Sequence, residues 1–493
     1  MLFLRLYENE IAQASYLIGC QDTGQAVVVD PSRDVARYLR AAEEERVHIT
    51  HVVETHIHAD FLSGSRELAR RASAKLLLSA EGDAEWRYAF LHEATALRDG
   101  DSFDVGRVRL EVMHTPGHTP EHLALLVTDT ATATEPMGVV SGDAVFVGDV
   151  GRPDLLVKTR RASPAGDLGN SDDAATEMAA AARQLFRTVQ RFRSLPPHIQ
   201  LWPGHGAGSA CGKSLGAVPQ STIGYESRFN WAFGIDDEDE FVATVLEGQP
   251  EPPRYFARMK RLNRDGPPAV GVRPIPAALA PEKFPALQRG GVVVIDTRPT
   301  KVFAAGHLPG TLSVPLDASF VTRAGSVLPD EAIVALLVEG GAPHAGRATR
   351  ALSLIGVDDV HGVFDESVLE WRSKNGGLGV VNQISPADAA NEHGAQIIDV
   401  RGASEWEEGH VPGAIHIPLP DLAERMADLP DGPLVLHCQG GSRSVIAASL
   451  LLAAGRQDVT NMEGGYTAWR RAGLPIATAE SDAEGQRESV TPR

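Results

Sequence analysis

Residues 55–61, Thr-His-Ile-His-Ala-Asp-Phe, decide how the first part of this chain is interpreted. The stretch follows an apolar run at residues 49–53, which is typical of a buried strand. His56, His58 and Asp60 therefore fall at alternate positions on the loop that leaves this strand. Because a rigid strand can hold such a loop still, the stretch predicts a metal site.

Further motifs place polar side chains just after predicted strands. They contain His114 and His118 in HTPGHTP, Asp143 in SGD and His205 in PGHG, while GRPD, with Arg152, lies on the loop after Asp143. Each motif alone fits an ordinary turn or strand end, but their shared position could bring the histidines and aspartates to one edge of a sheet. Two histidines with one carboxylate are the pattern of iron(II) oxygenases, and zinc also accepts these ligands.

The residues around these motifs alternate short strands with helical stretches, which predicts an α/β fold. Strands are predicted at residues 26–29, 49–53, 75–78, 108–113, 123–127, 138–140 and 199–202, and helices at residues 63–72 and 174–192. Residues 248–283 are rich in proline, which indicates a linker or domain boundary near residue 265.

The order HxHxD, GH, GD and PGH resembles the metallo-β-lactamase superfamily, and the resemblance covers about residues 1–265. It implies an αββα sandwich for this domain. Within the superfamily, the segments THIHAD, TPGHTP, SGDAVF, GRPD and PGHG look most like persulfide dioxygenases. Glyoxalase II, a thioester hydrolase, is the near relative.

The resemblance to persulfide dioxygenases implies one iron(II) ion per chain. Its ligands would be the residues that match the family motif, which are His56, His118 and Asp143. His58, Asp60 and His205 would lie near this metal without being its main ligands. Arg152 matches the arginine that the family places near the carboxylates of the thiol carrier, where a guanidinium can bind in a bidentate way. A loop arginine that caps a helix is the alternative interpretation of Arg152.

Phe61 separates this chain from binuclear relatives. Those proteins bind a second metal with residues that correspond to Asp60, position 61 and His205, and phenylalanine cannot be a ligand. The sequence therefore favours a mononuclear site. Because water can complete a metal site, a zinc-dependent, glyoxalase II-like thioester hydrolase fused to a sulfur carrier remains the alternative.

The second half of the chain contains an internal repeat. Residues 295–298 (IDTR) return as 398–401 (IDVR), and residues 306–310 (GHLPG) return as 409–413 (GHVPG), both at an offset of 103 residues. A constant offset predicts duplicated domains. Each copy reads as strand, loop, strand and helix, which predicts small α/β domains with parallel sheets.

The repeat divides the rest of the chain into three predicted parts. Residues 266–378 and 379–478 are predicted as the two domains, and residues 479–493 as a disordered polar tail. No cysteine lies between residues 212 and 437. The first copy is therefore predicted to be catalytically inactive.

Residues 434–444 (LVLHCQGGSRS) run from a strand through a glycine loop into a helix. The loop amides and the helix N-terminus would favour a thiolate on Cys438. This segment resembles the active loop of rhodanese domains, and the six residues from Cys438 to Arg443 match the rhodanese length. The resemblance implies catalytic roles for Cys438, as a sulfur carrier, and for Arg443. It also implies an active rhodanese domain at residues 379–478 and, through the repeat, a rhodanese-like domain without the catalytic cysteine at residues 266–378.

Three widely spaced cysteines, Cys20, Cys211 and Cys438, predict no disulfide framework and fit a reducing cytoplasm. Cys211 follows the PGHG segment among small residues, which makes it a candidate reactive thiol. A buried structural role is the favoured interpretation for Cys211 and also for Cys20.

The formal net charge of −19 opposes binding to nucleic acids, and no run of about 18 apolar residues indicates a membrane span. We expect the chain to oxidise a low-molecular-weight thiol persulfide with O₂ to sulfite and thiol. Cys438 would exchange sulfane sulfur with sulfite, thiosulfate or a thiol. A non-enzymatic sulfur carrier with a vestigial metal site is a third hypothesis. The sequence leaves a homo-oligomer open.

Overall fold

The computed structural model describes residues 1–161, 171–271 and 276–478. The chain forms two compact units, Met1–Arg273 with Leu354–Gly356, and Pro274–Ser353 with Val357–Arg493. The tail predicted at residues 479–493 lies outside the described residues. Within the described ranges, no helix is long and apolar enough to cross a membrane.

The first unit is built on two six-stranded sheets. Its strands are β1 Leu2–Glu8, β2 Gln13–Cys20, β3 Gln25–Val29, β4 His48–Val53, β5 Lys75–Ser79, β6 Thr95–Leu97, β7 Ser102–Val105, β8 Val108–His114, β9 Leu123–Asp129, β10 Gly138–Gly142, β11 Val145–Phe146, β12 Asp149–Val150, β13 Gln200–Pro203 and β14 Ser221–Thr222. One sheet has the order β1-β2-β3-β4-β5-β6 and the other the order β14-β13-β10-β9-β8-β7, while β11 and β12 form a hairpin.

Helices cover the outer faces of these sheets. They are α1 Val35–Glu44, α2 Ser65–Ala72, α3 Leu155–Arg161, α4 Ser171–Arg193, α5 Ile223–Phe229, α6 Glu238–Leu246 and α7 Tyr255–Asp265. Apolar side chains of β2, β3, β8, β9 and β10 form one core between the sheets. Separate cores join α1 and α2 to the first sheet, and α4 and α6 to the second. These layers confirm the predicted αββα sandwich.

The predicted strands of this unit are present, with shifted ends. β4 begins one residue before the predicted run at residues 49–53, and β10 extends two residues beyond residue 140. The predicted helix at residues 63–72 starts later, because Ser63 forms an isolated bridge to Ser32 and α2 begins at Ser65.

The second unit contains two separate parallel sheets. The first copy comprises α8 Phe284–Arg289, β15 Val293–Asp296, α9 Thr300–Ala305, β16 Leu312–Ser313, α10 Phe320–Val327, β17 Val334–Leu337, α11 Gly341–Leu354, β18 Val360–Phe364 and α12 Ser367–Lys374. The second comprises β19 Asn382–Ile384, α13 Pro386–Asn391, β20 Gln396–Asp399, α14 Ala403–Glu407, β21 Ile415–His416, β22 Leu434–His437, α15 Ser442–Ala453, β23 Val459–Met462 and α16 Gly465–Arg471. Their strand orders are β16-β15-β17-β18 and β19-β23-β22-β20-β21.

The two copies share a buried arginine–aspartate ion pair at the same place in the fold. In the first copy, Arg298 binds Asp296, with Nη2 to Oδ2 at 2.6 Å, and donates to the Gly306 carbonyl. In the second copy, Arg401 binds Asp399 at the same distance and donates to the Gly409 carbonyl. This correspondence agrees with the repeat found in the sequence.

Candidate functional sites

The side chains of His56, His118 and Asp143 meet at one edge of the sandwich. One ligand atom from each lies within 4.8 Å of the others, and all three side chains are buried. Asp143 Oδ2 lies 3.8 Å from His56 Nε2 and 3.6 Å from His118 Nε2. The three residues follow the C-terminal ends of β4, β8 and β10. The structure thus brings together the three side chains that the motif assigned as ligands.

The cluster fits a metal ion because the ligand atoms of two of its residues lack other partners. His56 Nε2 and both carboxylate oxygens of Asp143 have no hydrogen-bond partner among the described residues. Burial lowers the pKa of His118 to about 3, so its imidazole is neutral, the form that binds metals. Burial also raises the pKa of Asp143 to about 6. A cation beside this carboxylate would offset the desolvation that raises it.

Asp30 holds the start of the HxHxD loop. Its Oδ1 accepts the Thr55 N–H at 2.7 Å, and its Oδ2 accepts the Thr55 hydroxyl at 2.9 Å. Asp30 Oδ1 also lies 3.3 Å from His58 Nε2. Burial is the largest single effect and lowers the pKa of His58, but the charges of Asp30, Glu54 and Asp60 together with the contact to Asp30 raise this pKa to about 9. His58 is therefore paired with Asp30 beside the three-ligand cluster, as a near-metal residue would be.

His122 and Glu121 support the site from the two positions just before β9. His122 Nε2 accepts the Asp143 N–H at 2.9 Å, and its Nδ1 lies 2.7 Å from the Thr115 hydroxyl. Burial lowers the pKa of His122 well below its usual value, which keeps it a neutral acceptor. Glu121 Oε1 accepts the Ile57 N–H at 2.6 Å. Both residues fix backbone atoms next to candidate ligands.

Asn263 on α7 fixes the same loop from a distant part of the sequence. Its Nδ2 donates to the carbonyls of His58 and Phe61, each at 2.7 Å. Its Oδ1 accepts the Ser63 N–H at 2.9 Å. One buried amide thus satisfies three backbone groups of the loop that carries the histidines.

Sequence reasoning missed Asp30, His122, Glu121 and Asn263. Asp30 directly follows β3, so the rule that selected the other strand-end residues could have found it. The remaining three precede a strand or lie on a helix, and no sequence signal marks them.

A second group of buried donors lies beside the first. His205 Nε2 lies 3.3 Å from Asp60 Oδ2 and 3.4 Å from Asp143 Oδ2. Ligand atoms of Asp60, His205 and Cys211 lie within 4.8 Å of one another. Phe61 is buried with its ring centroid 4.5 Å from that of His58.

Arg152 is fully buried in a bidentate ion pair. Its Nε and Nη2 donate to the Asp154 carboxylate at 3.1 and 2.7 Å. The same guanidinium donates to the carbonyls of Ala210, at 3.1 Å, and Pro250. The Asp154 carboxylate and the two carbonyls occupy the donors at both ends of the Arg152 guanidinium. The structure therefore assigns Arg152 a positioning role, in which it holds the loop before Cys211. The substrate-binding role stays a prediction.

Cys438 lies at the base of the glycine loop between β22 and α15. Its Sγ accepts the Gly441 N–H at 3.1 Å and faces the Ser444 hydroxyl at 3.5 Å. Its carbonyl accepts the Tyr466 N–H at 2.8 Å. Gly465, with φ of +54°, leaves room for this contact, since a Cβ there would lie 2.1 Å from the Cys438 carbonyl oxygen. The loop can therefore hold negative charge on the sulfur.

Arg443 forms a bidentate ion pair with Glu405 on α14. The two nitrogen–oxygen distances are 2.6 and 2.7 Å. Burial acts to lower the pKa of Arg443, but Glu405 and the charge of Cys438 outweigh it and raise this pKa. Arg443 thus fixes the loop to the neighbouring helix and keeps a positive charge near the sulfur. Glu405 is a functional residue that the sequence analysis did not identify.

The first copy has no sulfur at the equivalent position. Asp296 pairs with Leu337 across its sheet, as Asp399 pairs with His437 in the second copy. The residue after Leu337 is Val338, which therefore stands where Cys438 stands. Val338 is buried and apolar. This replacement supports the predicted loss of catalysis in the first copy.

Two family models match the chain. The metallo-beta-lactamase superfamily matches residues 9–205, and the rhodanese-like domain matches residues 385–472. A solved metallo-beta-lactamase structure from Staphylococcus aureus is 38% identical, with a TM-score of 0.64, and the match covers 74% of this chain and 98% of that one. The chain belongs to the metallo-β-lactamase superfamily, and it joins that domain to a C-terminal rhodanese domain.

The curated relatives of the two domains include a persulfide dioxygenase and a sulfurtransferase. The mitochondrial persulfide dioxygenase ETHE1 of Bos taurus is 28% identical over 159 residues, which are 31% of this chain and 57% of that protein. A sulfurtransferase of Allochromatium vinosum is 36% identical over 85 residues, which are 17% of this chain and 79% of that protein. Hydroxyacylglutathione hydrolases also match the first domain, two of them at 31% and 29% identity. The chain spans little more than half of the persulfide dioxygenase.

Proposed function

We propose that the N-terminal unit oxidises a low-molecular-weight thiol persulfide with O₂. The balanced reaction is RSSH + O₂ + H₂O → RSH + SO₃²⁻ + 2H⁺, in which the sulfane sulfur is oxidised and O₂ is reduced. The observation that carries this proposal is the buried cluster of two histidines and one carboxylate, in which His56 Nε2 and the Asp143 oxygens have no hydrogen-bond partner among the described residues. The persulfide dioxygenase relative and the sulfurtransferase relative support the choice of substrate.

His56, His118 and Asp143 would hold one iron(II) ion. When bound, iron(II) supplies the redox chemistry by which O₂ reacts with a reduced sulfur compound. Asp30 and His122 fix the backbone next to these ligands through Thr55 and Asp143. Such supporting contacts orient ligands and sustain metal affinity.

We propose that Cys438 carries sulfane sulfur in the second reaction. Its thiolate attacks the sulfane sulfur of thiosulfate, the S–S bond breaks and sulfite leaves, so that a cysteine persulfide remains. In reverse, sulfite accepts the sulfur and the thiolate is restored. The Gly441 amide and the Ser444 hydroxyl stabilise the negative sulfur, and Arg443 is held beside it by Glu405. The sulfite made at the first site is thus a substrate of the second.

The direct test measures O₂ uptake and sulfite formation with glutathione persulfide after the chain is loaded with iron(II) without oxygen. We expect O₂ uptake and sulfite formation in the ratio that the balanced reaction gives, and we expect neither of them with His56→Ala. The matched control is His198→Ala, an exposed histidine of the same unit. Absence of uptake with several persulfides in the iron-loaded chain would overturn the dioxygenase proposal.

The two activities are expected to separate by substitution. Cys438→Ser should abolish sulfur transfer from thiosulfate and leave O₂ uptake largely intact, because the two donor sets share no residue. His56→Ala should show the opposite result. Loss of both activities in either variant would contradict this division.

A thioester hydrolase is the second candidate. The hydroxyacylglutathione hydrolases among the relatives and the donor group of Asp60, His205 and Cys211 favour it. The discriminating assay compares thioester hydrolysis by the zinc-loaded chain with persulfide oxidation by the iron-loaded chain. Rapid hydrolysis of a hydroxyacylglutathione without persulfide oxidation would replace the first proposal with the second.

We propose that the protein is located in the reducing cytoplasm, in keeping with its three free cysteines.

A further inference from the structure

The first copy keeps a pocket although it has no sulfur nucleophile. The pocket has a volume of about 410 Å³, and Thr297, Leu316 and Glu339 are among the residues that line it. These three residues follow β15, β16 and β17, so the pocket lies beyond the carboxyl ends of parallel strands. Open parallel sheets bind their ligands at these ends. The replacement of the nucleophile by Val338 therefore left a space in which a small molecule can bind.

The same pocket reaches the active loop of the second copy. Ser442, the first residue of α15, also lines it. Ser442 directly follows Gly441, whose N–H donates to Cys438 Sγ at 3.1 Å. Because successive Cα atoms are only about 3.8 Å apart, a molecule that contacts Ser442 can bring its other end to the sulfur.

A buried hydrogen bond joins α15 to the first copy. The Ser449 hydroxyl accepts the Ser313 N–H at 3.0 Å, and both serines are buried. Ser313 belongs to β16, the edge strand of the first sheet, and lies three residues before Leu316. The two copies also belong to one compact unit. The wall of the pocket and the helix that begins at the active loop are therefore fixed to each other.

The polar groups of the pocket favour a ligand with N–H donors. The Glu339 side chain is exposed, and an ionised carboxylate can only accept hydrogen bonds. His344 Nδ1 donates to the Glu339 carbonyl, so the neutral imidazole has its lone pair on Nε2. An ammonium group matches these acceptors because it is positively charged and carries three N–H donors.

The cations next to the pocket have other acceptors. Arg323 Nη1 lies 2.6 Å from Asp317 Oδ2, and Arg347 Nη1 donates to the Leu316 carbonyl at 3.4 Å. Among the described residues, none forms an ion pair with Glu339. The Glu339 carboxylate can therefore pair with a cationic ligand.

We propose that this pocket binds the thiol that accepts sulfur from Cys438, and that Glu339 selects thiols with an ammonium group, such as cysteamine or cysteine. The proposal rests on the sulfur transfer proposed for Cys438 and adds the class of its acceptor. The acceptor thiolate attacks the outer sulfur of the Cys438 persulfide, the S–S bond breaks and the Cys438 thiolate leaves. The acceptor departs as a persulfide, and no oxidant is needed because the sulfane sulfur passes from one thiol to another.

The test measures sulfur transfer by the full-length chain from thiosulfate to cysteamine and to 2-mercaptoethanol, which has a hydroxyl in place of the ammonium. Glu339→Gln should raise the KM for cysteamine by roughly 2–5-fold at low ionic strength, with kcat little changed, and leave the KM for 2-mercaptoethanol unchanged. Each thiol is compared between variants, so its intrinsic reactivity cancels. The matched control is Glu370→Gln, an exposed carboxylate on α12, which should change neither KM.

A second variant tests the pocket by its space. Thr300 lines the pocket, and Thr300→Trp should fill part of it and raise the KM for both thiols. Thr322→Trp, at an exposed threonine of α10, is the matched control and should leave both KM values unchanged. Thermal unfolding checks that both variants fold.

Release of sulfite from thiosulfate without any thiol reports formation of the Cys438 persulfide alone. We expect this release in the parent chain and in both pocket variants. Normal release with an unchanged KM for cysteamine in Glu339→Gln and in Thr300→Trp would overturn the acceptor pocket and leave the function of Cys438 standing. Absence of release from the parent chain would overturn the sulfur transfer proposed for Cys438, and the acceptor pocket with it.

Discussion

At the scale of single residues, the metal centre depends on side chains that never face the metal. His122 accepts the Asp143 N–H while its other nitrogen faces the Thr115 hydroxyl. The imidazole is neutral because burial lowers its pKa well below the usual value. Its role is to fix the backbone from which the Asp143 carboxylate projects.

We predict that His122→Ala weakens metal binding at the three-ligand site by roughly 10–100-fold, the usual effect of removing such a supporting contact. Competition with a chelator of known affinity measures the change. His122→Gln should recover part of the loss, because its amide oxygen can accept the same N–H. Equal metal affinity in His122→Ala and the parent chain would contradict this role.

The ion pair of Glu405 with Arg443 predicts a pH dependence of stability. Burial acts to raise the pKa of Glu405, but the hydrogen bonds and the charge of Arg443, with smaller effects of the Gly402 N–H and Arg401, together hold the pKa below its ordinary value of 4.5. A carboxylate with a lowered pKa stabilises the fold above its unfolded pKa, and this stability is lost as pH falls through the folded value.

Glu405→Gln should therefore reduce the free energy of unfolding by about 1–2 kcal/mol at neutral pH. The difference from the parent should shrink as pH falls below about 4, where the parent loses the charge as well. Thermal unfolding of both proteins across this pH range measures the difference in stability. Glu407→Gln, an exposed neighbour on α14, should show no such trend. A constant difference at all pH values would rule out the ion pair as its cause.

At the scale of elements, α7 completes a loop that begins some 200 residues earlier. Asn263→Ala removes three hydrogen bonds to the backbone of His58, Phe61 and Ser63. We predict a loss of about 2–4 kcal/mol in stability, because buried backbone groups are left unsatisfied. The rate at which bound metal dissociates should also increase in Asn263→Ala, and a chelator-release assay measures this rate. Arg261→Ala on the exposed face of α7 serves as the control and should leave both quantities unchanged.

The elements that were predictable from sequence share a local signal. β4 and β10 were visible as apolar runs. The ends of these two strands, one from each sheet, bring His56 and Asp143 to one edge of the sandwich. Asn263 carries no such signal, since its contacts depend on how a helix packs in three dimensions. Cys211 shows the same limit. Its small neighbours indicated a loop, but only the packed structure brings its sulfur to Asp60 and His205.

At the scale of the whole molecule, two donor sets lie in separate units. The three-ligand cluster belongs to the first unit, and the Cys438 loop belongs to the second. We predict that removing metal with a chelator abolishes O₂ uptake and leaves sulfur transfer from thiosulfate unchanged, because no group around Cys438 requires a metal. Both assays on one preparation measure this, and re-addition of iron(II) should restore O₂ uptake. Loss of sulfur transfer on chelation would show that the units depend on each other.

The duplicated arginine–aspartate ion pair allows the two copies to be compared within one protein. The pairs of Arg298 with Asp296 and of Arg401 with Asp399 have matching hydrogen bonds, while only the second copy has a sulfur nucleophile. The same substitution can therefore be made twice in one polypeptide, once beside Val338 and once beside Cys438. Experimenters can thus separate the cost of a substitution to folding from its cost to chemistry without changing buffer, partner or chain.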